Sequence, residues 1–232
     1  MADTATRRAA KLDNRAIALA SLPFMGMISF WQVYDGIVPK MLTGTFGLSN
    51  SLTGAIMAID NVFGLFLLPL FGILSDRCAS KLGRRTPFIL LGSGIATLSV
   101  PLIAIANNAG SLPLLICAIL ITLLAICMYR TMTVAIVADI TPRPLRTKAD
   151  SVQKIVGYAG TGVMLVAISV MVPNVERPDY LPLFLLQAAF VLVSAVVYGL
   201  LVKEPALVQK MHQKSLEIGI REDEVEKDDS PE

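Results

Sequence analysis

Six apolar runs, at about residues 16–39, 51–74, 87–106, 112–140, 151–173 and 181–202, follow one another with only short polar loops between them. Each is long enough to cross the ~30 Å hydrocarbon layer of a bilayer as a helix. That succession predicts an all-α polytopic membrane protein with six transmembrane helices. The composition agrees, because 54% hydrophobic and only 16% charged residues is too apolar for a soluble domain. The first run is too long for a signal-peptide core and ends without a small-residue cleavage site, so it counts as the first span.

The loops then set the orientation. Of the 20 Lys and Arg residues, Lys40 and Arg177 fall on one side, Arg130 falls inside the fourth run, and all the others fall on the opposite side. Cytoplasmic loops carry the excess of Lys and Arg, so the basic side is the cytoplasmic one and both termini lie there. A multi-pass protein of the cell (plasma) membrane is expected. The chain divides into a basic cytoplasmic tail at 1–15, a six-helix bundle at 16–202 and a cytoplasmic linker at 203–232. That linker holds a short amphipathic helix at about 207–220, the solvated His212 and an acidic run at 222–232 expected to be disordered. Asn50-Ser51, Thr86-Pro87 and Asp150-Ser151 read as the starts of the second, third and fifth spans, and Gly157, Gly160 and Gly162 suit close helix packing.

Segregated charges make the net +2 informative about topology rather than partners, and no nucleic-acid partner is expected. Cys78, Cys117 and Cys127 have neither disulfide nor zinc spacing. No phosphate-binding loop, dinucleotide-binding glycine pattern or nucleophile cluster is present, so neither an enzyme nor a cofactor or metal is expected.

The stretch from Gly72 to Pro87 interrupts the apolar chain with an ordered set of charges and glycines: Gly72-Ile-Leu-Ser-Asp76-Arg77, then Lys81-Leu-Gly83-Arg84-Arg85-Thr-Pro. Gly72 is read as a close backbone approach, and Gly83 as a turn that a Cβ would obstruct. Asp76 is the one acid inside the basic cluster and is read as the partner of a nearby Arg or of a helix N-terminus. Asp139, at the inner end of the fourth span and level with this loop, is read as pairing with Arg77, Arg84 or Arg85.

This pattern resembles the signature loop between the second and third membrane helices of major facilitator superfamily transporters. Its extended form, Ser-Asp-Arg-Cys with Lys-Leu-Gly-Arg-Arg-Thr-Pro-Phe88-Ile89, is most similar to the branch of plant-type sucrose carriers and bacterial glycoside/pentoside/hexuronide cation symporters. Tyr129-Arg130 with Ala138-Asp139-Ile-Thr-Pro and Pro144-Leu-Arg-x-Lys148 resembles the fourth helix and following loop of bacterial members. The resemblance implies two inverted three-helix repeats, a gating role for Gly72, Asp76, Arg77, Gly83, Arg84, Arg85 and Asp139, and about twelve spans in a whole member. Val202-Lys203-Glu204-Pro205 looks like the family's exit from the sixth helix. The expectation is therefore the amino-terminal half of a transporter, whether a fragment, a split gene or a half-length chain that pairs with a second six-helix half or with itself.

Ionisable groups at mid-membrane cost at least ~2.5 to 3.5 kcal/mol, so they face partners or water. Asp60 and Arg130 are the deepest opposite charges. They read either as a structural ion pair or as a proton-coupling pair, in which the carboxylate alternates between pairing with Arg130 and standing unpaired. Trp31, Gln32, Tyr34 and Asp35, with Asn61 and Tyr129, offer aromatic faces and hydroxyl-binding groups suited to a sugar. Trp31, Tyr34 and Asp35 also read as ordinary interfacial anchors. Where melibiose-type symporters carry two acids one turn apart, Asp60 is followed by Gly64, which favours a proton over sodium as the coupling cation. The leading reading is a sugar or glycoside:proton symporter surrounded by membrane lipid. The alternatives are a non-transporting membrane subunit and an efflux carrier for an amphipathic compound.

Overall fold

The computed structural model describes residues 12–173, 175 and 178–217. The tail at 1–11, the acidic run at 222–232, and Glu176 and Arg177 of the last turn lie outside the described residues. The helices are α1 (Asn14–Ala20), α2 (Leu22–Lys40), α3 (Asn50–Met57), α4 (Ile59–Asp76), α5 (Thr86–Asn108), α6 (Leu112–Asp139), α7 (Arg146–Met171), α8 (Leu181–Leu201) and α9 (Glu204–Glu217). A π turn, Met41–Thr45, prolongs α2, and a 3-10 turn, Arg143–Leu145, precedes α7. No strand occurs among the described residues. Five spans are long and apolar enough to cross a membrane, α3–α4 counting as one, and α1 with α2 makes a sixth when that pair is taken as one span bent by 46°. The fold is all-α, as expected.

Proline opens several helices where its missing N–H costs nothing: Pro23 in α2, Pro87 in α5, Pro113 in α6 and Pro182 in α8. At the α1–α2 bend the same residue type has a second effect. Pro23 has no N–H to give to the preceding turn, and the buried Ser21 hydroxyl donates to the Ile17 carbonyl at 2.7 Å. Both loosen the helical ladder at one place, and the single expected helix becomes two.

Three starts differ from their sequence reading. The second span is capped by Ser49, whose hydroxyl accepts from the Leu52 N–H at 3.3 Å, not by Asn50-Ser51. Helix α7 begins a turn before Asp150, which instead pairs with Lys154 at 2.8 Å inside the helix, while the Ser151 hydroxyl donates to the Thr147 carbonyl. Thr86 is the first residue of α5 rather than its cap. The linker helix also starts early, at Glu204. Of the three glycines of the fifth span, Gly157 sits against Phe24 and Gly160 against Met25, where a Cβ would come within 2.6 and 2.5 Å, while Gly162 faces open space.

The largest helix contacts are α5 with α6, α2 with α7, α5 with α8, α2 with α8, and α4 with α6. Numbered as spans, these are 3–4, 1–5, 3–6, 1–6 and 2–4. Exchanging spans 1, 2 and 3 for 4, 5 and 6 turns 1–5 into 2–4, 1–6 into 3–4, and leaves 3–6 in place. The packing therefore has the symmetry of two three-helix repeats. Burial follows the same exchange. In their most apolar stretches α5 and α8 are each 44% buried and α6 is 50% buried, whereas span 2 is 0% and span 5 only 17% buried. Two apolar helices, one from each repeat, are thus left open on the outside of the bundle.

Candidate functional site

At the basic end of the bundle, the loop after α4 folds back onto three helices. Gly83 has φ +112°, a backbone setting that side chains resist, and it turns the chain toward α5. Arg85, only 8% exposed, is delivered into the bundle end. Its guanidinium donates to Asp76 Oδ1 at 2.7 Å, to Asp139 Oδ2 at 3.0 Å and to the Ser75 hydroxyl at 3.1 Å. Ser75 in turn donates to the Arg84 carbonyl at 3.1 Å. One buried cation thereby joins the ends of spans 2 and 4. Asp139 is the stronger partner, because its side chain is 20% exposed against 55% for Asp76, and solvent screens the latter. Removing one member of such a buried pair typically costs ~3–5 kcal/mol.

The other basic residues take lesser parts. Arg84 approaches Asp139 only to 3.9 Å and stays half exposed. Arg77 makes no ion pair among the described residues, so Asp139 pairs with Arg85 first. At Gly72 a Cβ would meet Thr131 at an ordinary 3.8 Å. The expected close backbone approach is therefore absent, because span 4 presents a side chain there.

Glu204, which in the sequence stands only within the exit from the sixth span, completes this end. The residue is 3% exposed. Its carboxylate accepts the backbone N–H groups of Arg84 at 2.8 Å, Arg85 at 3.1 Å and Thr86 at 2.8 Å, and the Thr86 hydroxyl at 2.8 Å. Because Thr86 donates to Glu204, the Tyr198 hydroxyl of α8 donates to Thr86 at 2.9 Å. A helix leaves its first N–H groups unsatisfied and carries positive charge there, so this carboxylate does for α5 what a local cap normally does. The one hint in the sequence is an acid placed at the end of an apolar span, opposite a helix start that has no acid of its own.

The second group lies within the spans. Trp31, Tyr34 and Phe30 form an aromatic cluster with ring centroids 5.5 to 5.6 Å apart, and the Arg130 guanidinium sits 5.6 Å from the Trp31 ring centre. Arg130 is thus held by a ring face; no ion pair joins it to Asp60 among the described residues. The carboxylate of Asp60 is turned to its neighbour, accepting the Asn61 backbone N–H at 2.7 Å and its side-chain amide at 2.9 Å. Span 2 breaks at Ala58, so Asp60 stands in the first turn of α4, where the helix dipole favours a negative charge. Asp35 and Asp60 both lie near Tyr34.

The buried Tyr34 hydroxyl has no partner in the described structure. Asp35 is exposed and Gln32 half buried. Tyr129 does not join this group. It is fully buried against Gly92 in the α5–α6 contact, because neighbouring residues on a helix point ~100° apart and Arg130 takes the other direction. The arrangement gathers Trp31, Tyr34, Asp35, Asp60, Asn61 and Arg130 near one another, with one buried hydroxyl left free to bond.

The profile of the Major Facilitator Superfamily matches residues 19–222. Among curated proteins, the chain is similar to Sucrose transport protein SUC3 of Arabidopsis thaliana, 40% identical over 68 residues, which is 29% of this chain and 11% of that protein. It is also similar to Sucrose transport protein SUT1 of Oryza sativa subsp. japonica, 34% identical over 98 residues, or 40% of this chain and 18% of that protein. The matched stretches thus span less than a fifth of the length of these relatives. No solved structure matches.

Proposed function

This chain belongs to the Major Facilitator Superfamily, and from that premise we propose that it forms the amino-terminal six-helix half, residues 16–202, of a sugar or glycoside:proton symporter of the plasma membrane. In this reading the basic end, both termini and the linker at 203–232 are cytoplasmic. The half works by alternating access together with a second six-helix half, which covers the open faces of spans 2 and 5. The substrate class is supported by the sucrose transport proteins among its relatives and by an aromatic and carboxylate cluster suited to hydroxyl-bearing rings. A proton is the favoured cation because Asp60 stands without a second acid one turn on, the residue there being Gly64.

The observation that carries the reading is the tie at the basic end. Arg85 joins Asp76 of span 2 to Asp139 of span 4, and Glu204 fastens the same loop to the exit of span 6. These bonds fasten the cytoplasmic ends of spans 2, 3, 4 and 6 into one unit, which is what a half that moves as a body against a second half requires. Asp76 keeps 55% of its side chain exposed while bonded to Arg85, so in this reading it is the carboxylate of this end left open to the second half when the inner side is closed. In proteoliposomes, Asp76→Asn is expected to cut the transport rate at least about tenfold while substrate affinity changes less than about threefold. Lost binding at an unchanged rate per bound substrate rejects the gating role.

A further inference from the structure

Beside this tie, α9 crosses the basic end and forms one wall of an open cavity of about 290 Å³ between the start of α1 and the end of α8. Its lining has two halves. Arg15, Lys203 and Lys210 supply three cations, all exposed, and none of them makes an ion pair among the described residues. Asp13 is the one acid in the lining, and its carboxylate already accepts the Ala16 N–H at 3.1 Å as the cap of α1. The rest is apolar. Leu19 and Leu201 line it toward the spans, and Leu201 is 60% exposed on the outward side of α8.

We propose that this cavity binds the headgroup of an anionic phospholipid. The cations sit where α1 begins and α8 ends, which is the level of the membrane surface, since both helices run into the hydrocarbon from there. A phosphodiester at that level accepts from the Arg15 guanidinium through two oxygens and from the two ammonium groups, while the acyl chains run along Leu19 and Leu201. A site of this volume admits a headgroup and glycerol but not the chains, which remain in the bilayer. Free inorganic phosphate shares the charge chemistry but gains nothing from the apolar half. The site joins α1, α8 and α9, and therefore holds α9 on the bundle next to Glu204.

The full chain in mild detergent, titrated with fluorescent phosphatidylglycerol and with phosphatidylcholine carrying the same label, tests this directly. Phosphatidylglycerol is expected to bind more tightly, and the triple variant Arg15→Gln/Lys203→Gln/Lys210→Gln to lose at least about tenfold of that affinity. A triple variant at other basic-end lysines, Lys81→Gln/Lys148→Gln/Lys214→Gln, is expected to lose less than about twofold. Leu201→Ser should weaken lipid binding with all three cations intact. Should the triple variant misfold, Lys210→Glu on the exposed side of α9 gives the same reading from a single surface change. Equal loss from both triple variants, no preference for phosphatidylglycerol, or displacement of the lipid by millimolar inorganic phosphate overturns the proposal. So does tight lipid binding that emerges only after residues 222–232 are removed, because the chain's own acidic run would then be the occupant.

Discussion

At the basic end Gly83 and Glu204 depend on each other. Gly83 combines φ +112° with direct contact between the position of its absent Cβ and the Glu204 side chain. Gly83→Ala is therefore penalised twice, by ~1–3 kcal/mol for the backbone and by displacement of the carboxylate that satisfies the start of α5. The matched control is Gly162→Ala, a glycine with open space around it, where the change is expected to be neutral or slightly stabilising. Thermal unfolding in detergent should separate the two, with Gly83→Ala and Glu204→Gln both melting well below Gly162→Ala. Equal midpoints would show that the cap contributes nothing. At this scale the sequence was half legible. Asp76, Arg85 and Asp139 stood out as charges at the right level, and they do meet. Glu204 did not stand out, because a residue's charge is visible in a sequence while a partner 118 positions away is not. The place of Tyr129 was not legible for a similar reason, since the absence of a side chain at Gly92 lets its ring into a helix contact that no local pattern marks.

Among the elements, the apolar runs were legible because length alone sets a span, and the termini of α5, α6 and α8 fall close to their expected places. The breaks at Ser21 and Ala58 were not legible. Hydropathy is blind to a lost N–H at Pro23 or a back-bonding hydroxyl at Ser21, although both residues are plain in the chain. The break at Ala58 moves Asp60 from mid-helix to a first turn, and so alters the site. Orientation is tested by thiol labelling in a chain freed of Cys78, Cys117 and Cys127. Asn50→Cys and Ala109→Cys, both at exposed positions of the end opposite the basic loop, should react with an impermeant reagent added outside intact cells. Ser80→Cys should react only after the membrane is opened. The reverse pattern would invert the assignment and place the Arg85 tie on the outer face.

For the whole molecule, the packing repeats under exchange of the two three-span units, and that exchange leaves spans 2 and 5 with their apolar faces open. Neither fact is carried by residue identity, because a repeat is kept by which helices touch and not by which side chains do so. The proposed second half would cover these two faces. In the proposed mechanism the carboxylate of Asp60 takes up the coupling proton on one side of the membrane and releases it on the other, which Asn cannot do. The deciding measurement is uptake of labelled sugars and glycosides, sucrose among them, into proteoliposomes holding the native assembly purified through this chain, under an inward proton gradient, for the wild type and Asp60→Asn. Accumulation of one of these sugars above the bath level by the wild type, with exchange but no accumulation by Asp60→Asn, is the predicted result; uptake indifferent to the proton gradient, or continued accumulation by the Asn variant, would contradict it.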